Sequence, residues 1–332
     1  MNERSKNLDY LKALCIIFVI TVHFEWSSVQ KLQYLFPYWI DMAVPFFMLI
    51  SGYVNTASCI KRQINSLDNL LSCERIIKQY LRFTVPFLIF LAIEFLLIPA
   101  QDRTLKFIIQ SMFTGGLGKG SYYYPLMIQF IFVFPFIYKI ITAFPKKGLL
   151  ITFAINMLWE ISKLFIHVTE PFYRLIIFRY IFLIAFGCYC FINKDKKLPL
   201  RIYLYSLAGM LFIYAVTYRS ISIPLFPWWT RTTVIATLYI LPIFKFITDL
   251  HPVNLHIPFD VIGKISYEIL FVQMLYYKFF CKYVYAITAN PVISLPISIV
   301  LCIIFGYIFH LVSQPLTQKV TSSILKHNQY LN

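Results

Sequence analysis

The residues best suited to chemistry lie near the start of the chain, in residues 7–26, which read NLDYLKALCIIFVITVHFEW. This apolar run carries His23 and Glu25 near its end, and Asp41 follows one short loop later. A carboxylate within reach of a histidine orients the imidazole and raises its basicity. His23 is therefore the candidate catalytic base, with Glu25 or Asp41 to orient it. A polar cluster satisfied at a membrane interface is the alternative.

Lys12 precedes His23 by eleven residues, which is close to three turns of an α-helix. The two side chains would share one helix face, about 16 Å apart along the axis. A cation at one end and a base at the other suit a long ligand with phosphates at one end and a reactive group at the other. Acyl-coenzyme A has this shape. Lys12 near a helix end has a second interpretation, in which its ammonium simply extends to the interface. No metal site is predicted, because no further histidine joins this cluster.

The composition is that of a membrane protein. The chain has 332 residues, of which 59% are hydrophobic and 13% charged, whereas soluble domains average about 25% charged residues. The apolar residues form blocks of about 20, the length of a membrane-spanning helix, and not the short alternating segments of a β-barrel. The predicted fold class is all-α: a polytopic membrane helix bundle forming a single domain over residues 1–332.

About ten spans are predicted from these blocks. Most of the 30 lysines and arginines fall at the termini and in alternate loops, which favours both termini in the cytoplasm. The net charge of +16 is thereby explained by orientation in the bilayer, and a nucleic-acid partner is not expected. We expect a multi-pass protein of the plasma (inner) membrane. The predicted spans are 11–29, 39–57, 83–100, 122–142, 149–166, 175–193, 201–218, 231–248, 265–285 and 293–313.

Other ionisable residues also fall within the predicted spans. Glu94, Glu160, Arg179 and Glu268 are either structural partners of one another or functional groups, because charge inside a membrane is costly. The seven cysteines form no CxxC pair and are expected to be small buried side chains. The first span is expected to stay in the mature protein, since no small-x-small cleavage site follows it.

Several motifs resemble the integral-membrane acyltransferase family 3. The segment LDYLKALCIIFVITVH has the basic residue, ten residues and a histidine of that family. The segment DMAVPFFMLISGYV carries its Phe-Phe and Ser-Gly-Tyr elements at Ser51, Gly52 and Tyr53, with one extra residue before the serine. Three later segments are similar to the family in the same order, so the resemblance covers almost the whole chain: RIIKQYLRFTVPF, YYYPLMIQFIFVFPFIY and IGKISYEILFVQML.

The resemblance implies roles for individual residues. His23 would be the catalytic base, Lys12 would contact the donor, and the basic segment would bind the coenzyme A end through Arg75, Lys78 and Arg82. Two departures weaken the match. Lys12 stands where arginine is common and lacks its bidentate grip on phosphate. Gln273 stands where many members carry histidine, and an amide is neither acid nor base.

The predicted function is a membrane O-acyltransferase. It would move an acyl group from cytoplasmic acyl-coenzyme A to a carbohydrate hydroxyl on a surface polysaccharide or lipid-linked glycan. The acyl group is expected to be acetyl. Direct transfer and an acyl-histidine intermediate are both open. The alternatives are a proton-coupled transporter or lipid-linked sugar flippase, because intramembrane histidine and glutamate also serve proton relays, and a sensor without chemistry. The sequence makes no prediction of the oligomeric state.

Overall fold

The computed structural model describes residues 6–162, 164–166, 169–226, 228–251, 258–288 and 290–329. Helices make up 80% of the protein, and the described residues contain no strand, which confirms the all-α class. In chain order the α-helices are α1 (Lys6–His23), α2 (Ser28–Gln33), α3 (Ala43–Lys61), α4 (Leu67–Leu70), α5 (Cys73–Leu97), α6 (Leu105–Thr114), α7 (Tyr123–Ala143), α8 (Pro145–Ser162), α9 (Glu170–Leu175), α10 (Ile181–Ile192), α11 (Leu200–Tyr218), α12 (Val234–Thr237), α13 (Ile240–Asp249), α14 (Phe259–Lys264), α15 (Ser266–Leu275), α16 (Cys281–Ile287) and α17 (Pro291–Gln329).

Short 3₁₀ segments and one π-helix connect some of these helices. The π-helix, Tyr276–Phe280, joins α15 to α16 without a break. The 3₁₀ segments are Phe36–Tyr38, Ala100–Asp102, Ile177–Tyr180 and Thr230–Thr232.

Within the described residues, five helical stretches are long and apolar enough to cross a membrane. Further predicted spans coincide with helices that are shorter or carry more charge, such as α1, α8 and α10. Lys163, inside the predicted span 149–166, lies outside the described residues. The ten-span arrangement and the sidedness of the termini stay predictions. The five stretches are Phe36–Lys61, Leu67–Leu97, Tyr123–Ala143, Leu200–Tyr218 and Pro291–Lys326.

The helices form two compact units, and the prediction of a single domain stays a prediction. The first unit holds the described residues of Met1–Leu67 and Phe134–Lys264, and the second those of Asp68–Val133 and Ile265–Asn332. His23 lies in the first unit.

Glycines let α3 and α10 cross at backbone contact in the first unit. A Cβ added at Gly52 would lie 2.0 Å from the carbonyl oxygen of Ile184, and one at Gly187 would lie 2.1 Å from that of Leu49. Small residues let two helix backbones approach this closely, and the close approach supplies van der Waals contact where lipid removes the hydrophobic driving force. The first unit is therefore built on backbone contact between these two helices.

A third glycine fixes the first turns of α1 in the same unit. A Cβ at Gly263, on α14, would lie 1.9 Å from the carbonyl oxygen of Asp9. The side-chain amide of Asn7 donates to the carbonyl of Leu250 at 2.9 Å. These contacts hold the start of α1 against α14 and the end of α13. They therefore fix the position of Lys12, which lies in the same part of α1.

The second unit packs α15 against α17 and α5 through aromatic rings and one glycine. Phe87 stacks on Tyr124 with ring centroids 3.7 Å apart, and Phe90 stacks on Phe271 at 4.9 Å. A Cβ at Gly306 would lie 2.5 Å from a side-chain carbon of Ile269. Large buried rings contribute most of the apolar area of such a core.

Candidate functional site

His23 is the last residue of α1 and is half-buried. The chain turns directly after it, because the backbone N–H of Phe24 donates to the carbonyl of Thr21 at 3.2 Å. The indole of Trp26 donates to that same carbonyl at 2.8 Å and closes the turn. The imidazole therefore stands at a helix end, on the same continuous helix as Lys12, as the spacing predicted.

Glu25 lies beyond the helix and is exposed. The predicted span 11–29 is wrong at this end, since the helix stops at His23. The cause is local: Ser27 and Gln30 form a reciprocal capping box that starts α2 at Ser28, and such a box stabilises a new helix start. The carboxylate of Glu25 therefore sits on a turn, two residues after the imidazole.

Asp41 lies in the turn that precedes α3, and its side chain is 17% exposed. Its backbone N–H donates to the carbonyl of Phe36 at 3.0 Å, which fixes the turn. The carboxylate has Arg231 as ion-pair partner, with 4.0 Å between Oδ2 and Nη1. Sequence analysis missed Arg231, because nothing in the spacing joins two residues so far apart in the chain.

Tyrosines from three segments lie near the Asp41–Arg231 pair. Tyr38 stacks on Tyr218 with ring centroids 6.2 Å apart, and the hydroxyl of Tyr239 donates to the carbonyl of Tyr38. The hydroxyl of Tyr218 donates to the carbonyl of Leu32 at 3.0 Å. Aromatic rings can stack on a sugar ring. The charged side chains beside them can form hydrogen bonds with the sugar hydroxyls. We call Asp41, Arg231, Tyr38, Tyr218 and Tyr239 the tyrosine cluster.

Lys12 forms an ion pair within its own helix. Its Nζ lies 3.3 Å from Oδ1 of Asp9, and the side chains of Lys12 and Asp9 are 17% and 3% exposed. The sequence analysis did not pair Lys12 with Asp9. The ammonium keeps an exposed fraction through which a ligand phosphate can reach it.

The Ser51-Gly52-Tyr53 motif lies in the middle of α3, where α10 crosses. Gly52 makes the backbone contact with Ile184 described above, and its carbonyl accepts from the thiol of Cys188 at 3.6 Å. The ring of Tyr53 meets those of Phe191 and Phe244 edge-on, at 5.1 and 6.0 Å. These contacts give the glycine and tyrosine packing positions.

Arg75, Lys78 and Arg82 lie on α5 in the second unit. Their spacing of three and four residues places them on one helix face. Lys78 is exposed and pairs with Glu74, and the guanidinium of Arg82 is exposed and lies 5.9 Å from the ring centre of Phe83. The face therefore presents positive charge along two turns of a helix.

A glycine-rich loop in the second unit is held by two buried side chains. Gly115, Gly116 and Gly120 have φ of 81°, 102° and 96°, which favours glycine. Glu94 accepts from the backbone N–H of Leu117 at 3.0 Å, and Gln273 donates to the carbonyl of Lys119 at 2.9 Å. The amide of Gln273 thus anchors this loop.

The other carboxylates that fall within predicted spans also have partners. Glu160 accepts from the backbone N–H of Val234 at 2.7 Å and from Asn156 at 3.1 Å. Glu268 lies 2.9 Å from Nδ1 of His310, a histidine that sequence analysis did not single out. Arg179 donates to Thr232 and lies 5.0 Å from the ring centre of Trp229. Among the described residues, no group of three or more His, Cys, Asp or Glu side chains has the geometry of a metal site.

A family model described as an acyltransferase domain, that of acyltransferase family 3, matches residues 5–311 of the chain. The comparisons with curated proteins and with solved structures gave no match. The matched residues include α1, the tyrosine cluster, the basic face of α5 and the glycine-rich loop.

Proposed function

We propose that this chain, which belongs to acyltransferase family 3 and is a membrane acyltransferase, moves an acetyl group from acyl-coenzyme A to a carbohydrate hydroxyl. Because the family consists of acyltransferases, the carrier and sensor alternatives are set aside. The observation that carries the proposal is His23, a half-buried imidazole at the end of α1 within the family match.

In the proposed reaction, His23 takes the proton of the acceptor hydroxyl while the oxygen attacks the carbonyl carbon of the thioester. The carbon–sulfur bond breaks and coenzyme A leaves as a thiolate. The proton passes from the imidazolium to the thiolate sulfur, so His23 ends neutral. A positioned imidazole contributes about 10²–10⁴-fold to such a transfer.

Glu25 is the carboxylate that we assign to His23. It is two residues away on an exposed turn, whereas Asp41 already has Arg231 beside it. In this assignment Asp41 belongs to the tyrosine cluster, whose tyrosine rings stack on the carbohydrate acceptor. Arg231 donates hydrogen bonds to the sugar hydroxyls and Asp41 accepts them.

Donor binding is assigned to basic residues of α1 and α5. On α1, Lys12 contacts the donor through the part of its side chain that stays exposed. On α5, Arg75, Lys78 and Arg82 bind phosphate groups of coenzyme A, for which charge-assisted hydrogen bonds are the strongest available contacts.

The proposed setting is the plasma membrane, crossed by about ten spans with both termini in the cytoplasm. The donor would then bind on the cytoplasmic side and the acceptor outside. The basic loops favour this orientation, and the bilayer and a surface or lipid-linked glycan are the proposed partners.

The function is tested with membranes that contain the protein, radiolabelled acetyl-coenzyme A and extracts of the host's surface glycans. The proposal predicts label in glycan that base hydrolysis releases as acetate, as expected for an O-ester. Membranes without the protein are the control. Absence of labelled glycan together with absence of acyl-coenzyme A binding to the purified protein would contradict the proposal.

A further inference from the structure

A cavity of about 330 Å³ opens in the second unit, and none of its lining side chains has been given a role above. It lies where the end of α5, the first turns of α6 and the π-helix meet. Its lining combines apolar and cationic side chains: Ile98, Phe107, Leu117, Phe279, Lys106 and Lys278. We call it the α6 cavity.

The α6 cavity lies next to the end of a helix that is long and apolar enough to cross a membrane. The membrane-length stretch Leu67–Leu97 ends immediately before it. Arg103 folds back over that end and donates to the carbonyl of Leu96 at 2.7 Å and to that of Ile98 at 3.2 Å. This guanidinium satisfies the last carbonyls of the helix, and arginine side chains near the ends of membrane-spanning helices extend to the lipid–water interface.

The exposed face of α6 also indicates a position at the membrane interface. Leu105, Ile109 and Phe113 recur every fourth residue and are 71%, 52% and 74% exposed. An amphipathic helix with such a stripe lies in the interface with its apolar face in the acyl chains. The next residues along the helix, Lys106 and Gln110, line the α6 cavity, so the apolar stripe and the cavity lie side by side on α6.

Two ammonium groups at the α6 cavity lack an ion-pair partner. Lys106 and Lys278 are exposed, and neither has a carboxylate oxygen within 4.0 Å among the described residues. Asp102 is the one acidic residue of the lining, so the two lysines leave it net positive. Lys278 projects from the π-helix, an uncommon geometry that is frequent at functional sites.

We propose that the α6 cavity binds the phosphate headgroup of an anionic membrane phospholipid. The ammonium groups of Lys106 and Lys278 take the phosphate oxygens, and Gln110 donates to them. Phe107 and Phe279 pack against the first carbons of the acyl chains. Interfacial lysines attract anionic lipids with about 1 kcal/mol each, and the aromatic walls favour a lipid over a free anion. The inference does not depend on acyl transfer.

Native mass spectrometry of the full chain, released from nanodiscs of mixed lipid, measures retained phosphatidylglycerol against phosphatidylcholine. We expect the wild type to retain phosphatidylglycerol preferentially. The double variant Lys106→Gln/Lys278→Gln should bind it about thirtyfold more weakly, since two interfacial charges are lost. Lys146→Gln/Lys147→Gln is the matched control, because it removes two exposed charges from α8 and should behave as wild type.

A second arm adds inorganic phosphate in excess over lipid. The proposal predicts that phosphate does not displace phosphatidylglycerol, because the acyl chains contribute to binding. Equal retention by the wild type and the Lys106/Lys278 variant would overturn the proposal. Displacement by phosphate alone would overturn its lipid component and leave a free-anion site.

Discussion

Lys12 and Asp9 lie one turn apart on α1, with 3.3 Å between Nζ and Oδ1, and the Asp9 side chain is almost fully buried. The lysine assigned to the donor is therefore also the partner of a buried carboxylate. A substitution of Lys12 acts on stability and on donor binding together, and the two effects must be separated.

Lys12→Gln removes one cation from the buried Asp9 carboxylate. We expect the free energy of unfolding to fall by about 2–3 kcal/mol and acyl-coenzyme A binding to weaken. Adding Asp9→Asn removes the buried charge and should restore thermal stability while binding stays weak. Thermal unfolding and donor binding of both variants are the measurements. Recovery of donor binding by the double variant would remove Lys12 from the donor site.

Gly52→Ala should destabilise the first unit. The added Cβ would lie 2.0 Å from the carbonyl oxygen of Ile184, so α3 and α10 must separate, at a cost of about 3 kcal/mol or more. The neighbouring Ser51→Ala, which adds no volume at the crossing, is the control. Thermal stability followed by size-exclusion chromatography measures both, and equal stability of the two variants would contradict this account of the motif.

Glu25→Gln and Asp41→Asn should affect different kinetic constants. Loss of the carboxylate that orients His23 should lower kcat about 10²-fold, with little change in the acceptor KM. Asp41→Asn weakens the ion pair with Arg231 in the tyrosine cluster, so we expect a raised acceptor KM and a nearly unchanged kcat. The reverse pattern would assign Asp41 to His23 and Glu25 to the acceptor.

Gln273→Ala should loosen the glycine-rich loop. The carbonyl of Lys119 loses its donor, and a hydrogen bond contributes about 1 kcal/mol, so amides of residues 115–121 should exchange about fivefold faster. Hydrogen–deuterium exchange measures this, with the exposed Gln101→Ala as control. Unchanged exchange in the loop would show that Gln273 does not anchor it.

Much of the helical architecture could be predicted from the sequence, because apolar length and composition determine a helix in lipid. The placement of Lys12 and His23 on one helix followed from their spacing. The end of that helix did not, because it depends on the turn after His23 and on the capping box of Ser27 and Gln30 that starts the next helix.

Partners distant in sequence could not be predicted. Arg231 reaches Asp41, and Gln273 reaches the glycine-rich loop, only because helices far apart in the chain pack together. The Asp9–Lys12 pair, in contrast, could have been predicted, because the two residues are three apart on one helix and therefore neighbours on its surface. Glycine contacts such as Gly52 with Ile184 depend on the crossing point of two helices, which the sequence of either helix leaves open.

The central claim is that His23 is the base of acyl transfer. The most direct measurement compares transfer of radiolabelled acetyl to glycan by wild type, His23→Ala and His251→Ala at equal expression and equal acyl-coenzyme A binding. His251 is an exposed histidine of the same unit and serves as the matched control. The account predicts a loss of about 10²-fold or more for His23→Ala and wild-type transfer for His251→Ala. Equal transfer by all three proteins would contradict it.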